Sequence, residues 1–331
     1  MKPRVLLVGC GAIGRRHLRN LRALGVTELL AFDPDAACAR LAETESGARV
    51  VPALADGLAA KPDLALICTP SSLHLEPALA AARAGANLFI EKPLSHVLDG
   101  LAELEAEASA RGLVALVGCN MRFHPGIVKA KALLADGAVG RPLLARAETS
   151  SYLPDWRPTR DYRRTYSAHA DQGGGAVLDC IHEIDYLLDL LGDAASVTAT
   201  IGSFGDLGIR AEDAAEIAWV ARAGALVSLR ADYITRSYRR WLSISGSEGV
   251  LEWDFHRPEV RLYRASAKAW ETLPLAGDAD SMYADEMSHL LACLAGREKP
   301  RQGLREGRRA LELALAAKRA AREGRRVDLA A

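Results

Sequence analysis

Residues 5–14 read VLLVGCGAIG, and a helical pattern and a second apolar run ending at Asp33 follow them. The apolar start predicts a buried strand, and the pattern Gly9-x-Gly11-x-x-Gly14 predicts a tight turn into a helix. Strand, glycine turn, helix and strand in this order are typical of a unit that binds a dinucleotide. The helix N-terminus presents unpaired N–H groups that suit a pyrophosphate.

Each glycine of the pattern has a separate expected task. We expect Gly9 to permit the turn and Gly11 to let the backbone approach the phosphates without a Cβ in the way. Gly14 should let the helix pack closely against its strand. The backbone of Ala12 and Ile13, which lie between the last two glycines, completes the predicted phosphate-binding turn.

Asp33 follows Gly14 by 19 residues, at the end of the second apolar run. A carboxylate at this point accepts hydrogen bonds from the adenosine ribose hydroxyls and repels a 2′-phosphate. The next residue is Pro34 and not a basic residue, so NAD is favoured over NADP. An alternative interpretation, compatible with the first, makes Asp33 the N-cap of a helix that begins near Pro34.

The composition narrows the class of protein. The chain has 331 residues, which predicts two domains, and its 42 basic residues balance 42 acidic ones. A net charge of zero gives no general attraction to nucleic acid or to an anionic membrane. The six cysteines are scattered without metal-ligand spacing, which favours a reducing cytoplasm. No apolar run approaches the ~18–20 residues that a membrane span needs.

Strand and helix patterns alternate up to about residue 123, which predicts a doubly wound parallel sheet. Two polar segments, Thr69-Pro70 and Glu91-Lys92-Pro93, directly follow strands of this sheet. Ligands of such sheets bind outside the carboxyl ends of the strands. We therefore expect both segments to lie at the ligand-binding edge.

The pattern changes from residue 124 onward. Apolar alternation predicts strands at 143–150, 197–203, 215–221, 225–233, 241–245, 250–253 and 260–265. We expect a Rossmann domain at 1–123 and, at 124–331, a substrate-binding and oligomerisation domain of α+β class on a large, mainly antiparallel open sheet. One sheet face would need covering, so we expect a homodimer or homotetramer through this sheet.

Several further motifs accompany the glycine turn. They are Thr69-Pro70-x-x-x-His74, Glu91-Lys92-Pro93, Asn120-x-Arg122-Phe123-x-Pro125, and Gly173-Gly174-Gly175 followed by Asp179, His182 and Asp185. On these motifs the chain resembles the Gfo/Idh/MocA oxidoreductases over its full length. The resemblance implies transfer of a hydride between NAD(P) and a carbinol carbon of a sugar, cyclitol, nucleotide sugar or related compound.

The resemblance also implies site residues. Cofactor contacts are expected from Gly9, Gly11, Ala12, Ile13, Gly14, Asp33, Thr69, Pro70, His74, Glu91, Lys92, Asn120 and Arg122. Substrate contacts are expected from Lys92, Arg122, Trp156, Arg157, Arg163, Asp179 and His182. No metal is implied.

Lys92, His182 and Asp179 are the predicted catalytic residues. Oxidation of a secondary alcohol needs a group that takes the hydroxyl proton, and lysine and histidine are both suitable carriers. Alternatively, Lys92 is a surface lysine paired with Glu91, and His182 is a structural residue. Many relatives space the acid and histidine as D-x-x-x-H. Here Asp179-Cys180-Ile181-His182 is one residue shorter, so His182 carries over more safely than Asp179.

Residues 152–166 interleave aromatic rings with arginines. Such a loop suits stacking on a sugar or base and forked hydrogen bonding to a carboxylate or phosphate. It resembles a loop in the branch of the family associated with bacterial surface-glycan biosynthesis, which favours an anionic sugar or nucleotide sugar. Alternatively, it is a surface loop whose arginines pair with Asp155, Asp161 and Asp171.

Two other functions remain open from the sequence. The family also contains NAD-dependent glycosidases, which oxidise, eliminate and re-reduce with no net cofactor turnover. A non-catalytic NAD-binding sensor is the third possibility, although the retained Lys92 and His182 argue against it.

Overall fold

The computed structural model describes residues 2–156, 158 and 160–330. The chain forms two compact units, and each draws on two separate segments of the sequence. The first unit comprises Met1–Asn120 with Asp280–Arg308, and the second comprises Met121–Ala279 with Arg309–Ala331.

The first unit is built on a six-stranded sheet whose neighbouring strands all run parallel. Its strands are β1 (Val5–Val8), β2 (Leu29–Phe32), β3 (Arg49–Val50), β4 (Leu64–Ile67), β5 (Asn87–Glu91) and β6 (Ala115–Gly118). The helices between them are α1 (Ala12–Ala23), α2 (Ala36–Ser46), α3 (Leu54–Ala59), α4 (Leu75–Arg83) and α5 (Leu101–Ala110). The predicted doubly wound parallel sheet is confirmed.

The strand order β3-β2-β1-β4-β5-β6 reverses direction between β1 and β4. In doubly wound sheets, dinucleotides bind in the crevice at this reversal, outside the carboxyl ends of the strands. The chain leaves β1 at Gly9 and leaves β4 at Cys68 and Thr69, so these residues flank the reversal.

The second unit is built on a nine-stranded sheet in the order β14-β13-β12-β11-β7-β10-β9-β8-β15. Its strands are β7 (Pro142–Ser150), β8 (Ala194–Gly202), β9 (Ala214–Ala221), β10 (Leu226–Asp232), β11 (Arg239–Gly246), β12 (Gly249–Asp254), β13 (Glu259–Arg264), β14 (Ala269–Pro274) and β15 (Val327–Asp328). Strands β7 and β10 run parallel, and the other neighbouring pairs run antiparallel. The predicted mainly antiparallel sheet is confirmed.

The described part of the chain has five further α-helices. They are α6 (Pro125–Ala135), α7 (Ala176–Asp179), α8 (Ile181–Leu191), α9 (Met282–Leu294) and α10 (Leu304–Glu323). Within the described residues, no helix is long and apolar enough to cross a membrane.

Helix α9 lies in the first unit, whereas the predicted boundary at residues 123/124 assigned it to the second. The reason is its apolar face. Met287 and Leu290 are fully buried in one core with Leu18 of α1 and Leu66 of β4. The packing of α9 against residues far earlier in the chain has no local sequence pattern, so the sequence did not predict its place in the first unit.

Candidate active site

The turn between β1 and α1 has little room for side chains at two of its glycines. Gly9 has a φ of +95°, and a Cβ there would come 2.7 Å from backbone atoms of Cys68 and Thr69. A Cβ on Gly14 would come 2.3 Å from the carbonyl oxygen of Gly9. In contrast, a Cβ on Gly11 would meet no atom within 4 Å. Gly9 and Gly14 are therefore closely packed, whereas Gly11 borders open space.

That open space lies at the start of a helix. Gly11 is the N-cap of α1 and has no side chain to cap the first turn, which contains exposed Ala12 and half-buried Ile13. The N–H groups of a first helical turn lack partners inside the helix and attract anions. The turn therefore fits the pyrophosphate of a dinucleotide.

Asp33 receives two backbone hydrogen bonds at the end of β2. The Cys10 N–H donates to its Oδ2 over 2.7 Å, and the Asp35 N–H donates to its Oδ1 over 2.8 Å. Each carboxylate oxygen retains a lone pair for a ribose hydroxyl. The N-cap of α2 is Asp35, which accepts the N–H of Ala37, so the alternative that Asp33 caps this helix is wrong.

His74 joins the loops that follow β4 and β5. Its Nδ1 lies 2.9 Å from the carbonyl oxygen of Pro93, and its Nε2 lies 2.9 Å from that of Thr69. Burial lowers the pKa of His74, although the carbonyls and nearby Glu91 act in the opposite direction. Both ring nitrogens of His74, which was predicted to contact the cofactor, thus face backbone carbonyl groups of the protein. Pro70, in the loop that follows β4, is exposed.

Glu91 and Lys92 stand at the carboxyl end of β5. The Glu91 carboxylate is buried, with Oε1 2.6 Å from Nε2 of His17 and Oε2 accepting the Lys92 N–H over 3.1 Å. Lys92 is half-buried. Asn120 is buried in a short 3-10 turn that follows β6.

In the second unit, Asp179 is surrounded by hydroxyl groups. It accepts hydrogen bonds from Tyr166 (2.6 Å), Ser167 (2.7 Å) and Tyr233 (3.0 Å). Burial and the Asp179 charge raise the pKa of Tyr233 well above its usual range, so its hydroxyl stays protonated and donates. Asp179 is itself buried, whereas Tyr166 is half-buried.

Arg122 is engaged in a buried ion-pair network. Its Nε and Nη2 donate to the two oxygens of Asp185 over 2.8 and 2.7 Å, and its Nη1 donates to Asp189 over 3.1 Å. Lys131 also binds Asp189. Three of the five N–H donors of Arg122 therefore already bind carboxylates of the same unit. Contacts of Arg122 with cofactor or substrate stay a prediction.

The remaining predicted residues lie on the helix α8 and on the 152–166 loop. His182 is half-buried in the first turn of α8, separated from Asp179 by a helix break at Cys180. Trp156 is 39% exposed, donates to Ser151 Oγ over 2.7 Å and meets the Tyr233 ring edge-on.

Two arginines of this loop were predicted to contact substrate. Exposed Arg163 pairs with Asp161 over 3.0 Å, as the surface-loop alternative expects. Arg157 lies outside the residues that the structure describes.

Several partners of the predicted residues were not predicted from the sequence. His17 is buried beside Glu91, and Tyr166, Ser167 and Tyr233 surround Asp179. A histidine three residues after Gly14, on the buried face of an amphipathic helix, was a usable signal for His17. The hydroxyl donors to Asp179 had no such local signal. In the described part of the chain, no group of three or more His, Cys, Asp or Glu side chains could hold a metal ion.

Comparison with known proteins agrees with this arrangement. Residues 3–119 match the model of the oxidoreductase family with an NAD-binding Rossmann fold, and residues 127–252 match the Gfo/Idh/MocA C-terminal domain. Myo-inositol 2-dehydrogenase of Thermotoga maritima is 28% identical, covering 98% of both chains. Inositol 2-dehydrogenase of Rhizobium meliloti is 27% identical, covering 100% of both.

Solved structures share the fold over the whole chain. Levoglucosan dehydrogenase in complex with NADH superposes with a TM-score of 0.90 at 20% identity, covering 100% of both chains. The WlbA dehydrogenase from Bordetella pertussis, in complex with NADH and UDP-GlcNAcA, gives 0.85 at 24% identity, also covering 100% of both.

The glycine turn and the two sheets define an NAD-binding oxidoreductase with a Rossmann domain. With both of its domains matched over more than half of the sequence, the chain belongs to the Gfo/Idh/MocA family.

Proposed function

We propose that the protein is an NAD-dependent dehydrogenase or reductase acting on a secondary hydroxyl or ketone of a sugar, cyclitol or nucleotide sugar. The position of Lys92 carries the proposal. It directly follows buried Glu91 at the carboxyl end of β5, in the same parallel sheet whose β1 leads into the glycine turn. The names of the inositol dehydrogenases and of levoglucosan dehydrogenase support this substrate class.

When bound, NAD supplies a hydride acceptor, and its reduced form supplies a hydride donor. The protein contributes the proton carrier. In the reducing direction the Lys92 ammonium is an acid that can protonate the carbonyl oxygen. In the oxidising direction, Lys92 must be unprotonated to take the hydroxyl proton. The turn at 9–14, with Asp33, holds the dinucleotide in this proposal, and NAD is preferred to NADP.

The second unit contributes the proposed substrate contacts. We assign His182 as a second proton carrier or orienting group. Asp179 already accepts three hydroxyl hydrogen bonds, so it would act through its partner Tyr166. Trp156 offers an exposed ring for stacking, and Arg157 and Arg163 would bind an anionic group. Binding a substrate anion requires Arg163 to leave Asp161, which is a weak, exposed partner.

A panel of sugars, cyclitols and nucleotide sugars, each incubated with NAD, tests the function. We expect net NADH formation with at least one member, and reduction of the matching ketone by NADH. Bond cleavage of a glycoside without net NADH would instead identify the glycosidase. Tight NAD binding with no turnover of any compound would identify a sensor.

We also propose that a second copy of the chain covers part of the nine-stranded sheet. Leu226 pairs in register with Leu144 on one side and Val220 on the other. These three side chains are 49%, 53% and 41% exposed and form one apolar strip on the solvent face. Leu226→Asp should convert a dimer or tetramer into smaller species in analytical ultracentrifugation, and a monomeric wild type would contradict the proposal. The six free cysteines support the cytoplasm as its location.

A further inference from the structure

His17 is a polar residue in a position that an apolar one would fill. It lies on the buried face of α1, beside Leu18 and Leu21, and its ring is 0% exposed. The ring packs edge-on against Phe89 of β5, with 4.9 Å between centroids. Its Nε2 lies 2.6 Å from Oε1 of Glu91. A buried histidine and a buried carboxylate, 74 residues apart in sequence, thus meet below the end of β5.

The neighbouring strand leaves room for this pair. A Cβ on Gly118 of β6 would come 2.8 Å from the Phe89 ring and 3.2 Å from Oε1 of Glu91. The second carboxylate oxygen of Glu91 accepts the backbone N–H of Lys92 over 3.1 Å. The carboxylate therefore connects the His17 ring to the backbone of Lys92.

We assign the hydrogen of the pair to Nε2 of His17, because an ionised carboxylate only accepts hydrogen bonds. Among the described residues, Nδ1 of His17 has no hydrogen-bond partner. A buried nitrogen without a partner costs free energy, and replacing a buried polar pair with apolar side chains is often neutral or stabilising. Two apolar side chains could therefore stabilise this position as well as His17 and Glu91 do.

The backbone is also fixed on the other side of Lys92. The carbonyl oxygen of Pro93 lies 2.9 Å from Nδ1 of His74. Two buried histidines from two helical segments thus constrain the residues before and after the lysine. Such support is what a side chain needs if it must hold a reacting proton within a fraction of an ångström.

We propose that His17 is a positioning residue that fixes the Glu91 carboxylate and, through it, the backbone of Lys92. The inference rests on the proposed function, in which Lys92 carries the proton. His17 acts on proton transfer and leaves dinucleotide binding largely unchanged.

Two substitutions at one position separate positioning from packing. His17→Phe keeps the ring volume against Phe89 and removes the donor, whereas His17→Gln keeps an N–H donor near the place of Nε2. We expect His17→Phe to lower kcat by about 10- to 100-fold, to change the pH profile of kcat/KM, and to leave NAD affinity in calorimetry nearly unchanged. His17→Gln should recover most of kcat.

His289→Phe is the matched control. His289 is another buried histidine of the same unit that meets a glutamate, with Nδ1 2.6 Å from Oε2 of Glu298. Its replacement should alter thermal stability without altering the pH profile. Equal loss of kcat in His17→Phe, His17→Gln and His289→Phe, in proportion to lost stability, would show that His17 only packs.

A measurement without cofactor or substrate separates this proposal from the proposed function. The rate at which Lys92 is acetylated in the apoprotein, relative to exposed Lys61, can be read by peptide mass spectrometry. We expect this ratio to change in His17→Phe and in Glu91→Gln, and to stay near wild type in His17→Gln. An unchanged ratio in the first two overturns the positioning role, even if the enzyme is active. A changed ratio in a protein that turns over no sugar supports positioning and refutes only the function. If His17→Phe does not fold, the acetylation ratio in the isosteric variant Glu91→Gln tests the positioning role alone.

Discussion

At the scale of single residues, two aspartates that follow β2 have different hydrogen-bond partners. Asp35 caps α2 through the N–H of Ala37, and Asp33 accepts the N–H groups of Cys10 and Asp35. Asp33 is therefore bound to the glycine turn from which the dinucleotide pyrophosphate would be held. Its proposed role in cofactor choice therefore depends on the shape of the turn.

Asp33→Ala should weaken NAD binding and narrow the preference for NAD over NADP. Each lost charge-assisted hydrogen bond to a ribose hydroxyl is worth about 1.5–3 kcal/mol, or about 10- to 150-fold in affinity. Calorimetric titration with both dinucleotides measures this. Circular dichroism must accompany it, because the substitution also removes acceptors for two backbone N–H groups. A wild-type protein that binds NADP more tightly than NAD would show that Asp33 has another role.

How far the sequence predicts a residue's role depends on the distance to its partner. The tasks of Gly9 and Gly14 follow from local chain geometry: Gly9 has the positive φ that the predicted turn needs, and Gly14 packs closely against the end of β1. The partner of Glu91 lies 74 residues away, and no periodicity connects the two. The hydroxyls around Asp179 come from one loop, which holds Tyr166 and Ser167, and from Tyr233 at the end of β10, so tertiary packing alone brings them together.

At the scale of elements, the turn from β1 into α1 has one glycine in tight packing and another beside open space. Gly14 touches the backbone of Gly9, whereas Gly11 borders open space in an ordinary backbone conformation, with φ of −61°. Alanine can therefore be accommodated at Gly11 but not at Gly14.

Paired alanine substitutions test this division. Gly14→Ala should destabilise the protein by about 1–3 kcal/mol, because the Cβ pushes α1 off its strand. Gly11→Ala should leave stability within about 0.5 kcal/mol of wild type but lower NAD affinity at least about tenfold, because the Cβ enters the space expected for the pyrophosphate. Urea unfolding followed by circular dichroism, with calorimetry for NAD, gives both quantities. Wild-type NAD affinity in Gly11→Ala would contradict the assigned position of the pyrophosphate.

Helix α6 has an N-cap that titrates. His124 Nδ1 accepts the N–H of Gly126 over 3.0 Å, and its buried ring packs against Trp253 and Phe255. Burial, with a smaller contribution from nearby Arg240, lowers the pKa of His124 to about 4. Protonation of Nδ1 would destroy the cap, so the folded second unit excludes this proton.

The free energy of unfolding of the second unit should therefore decrease as the pH falls. An unfolded histidine titrates near pH 6.5, so the unfolded chain binds more protons between pH ~6.5 and ~4, and stability declines across this window by on the order of 3 kcal/mol. All five tryptophans lie in this unit, so urea unfolding followed by their fluorescence reports on it alone. His124→Asn keeps a capping acceptor and should lessen the decline, although lost ring packing lowers stability at pH 7. The same decline in both proteins would exclude His124 as its source.

At the scale of the whole molecule, the alternation of strands and helices was enough to predict both sheets. Strands β14 and β15 were missed because one is almost wholly exposed and the other has two residues. The assignment of residues 280–308 to the first unit was missed for a different reason. Met287 and Leu290 complete a core formed some 200 residues earlier in the chain, and a local pattern shows only that α9 is amphipathic.

In the function that we propose, the protein transfers a hydride from a carbinol carbon to NAD, and Lys92 is the proton carrier. The direct test uses the substrate found in the panel, carrying deuterium at the oxidised carbon, and follows the label by mass spectrometry. We expect one deuterium on the nicotinamide for each ketone formed. In Lys92→Met we expect unchanged NAD binding and transfer slowed by about 10²-fold or more. Ketone formation without label on the nicotinamide, or equal transfer rates in wild type and Lys92→Met, would overturn the proposed function.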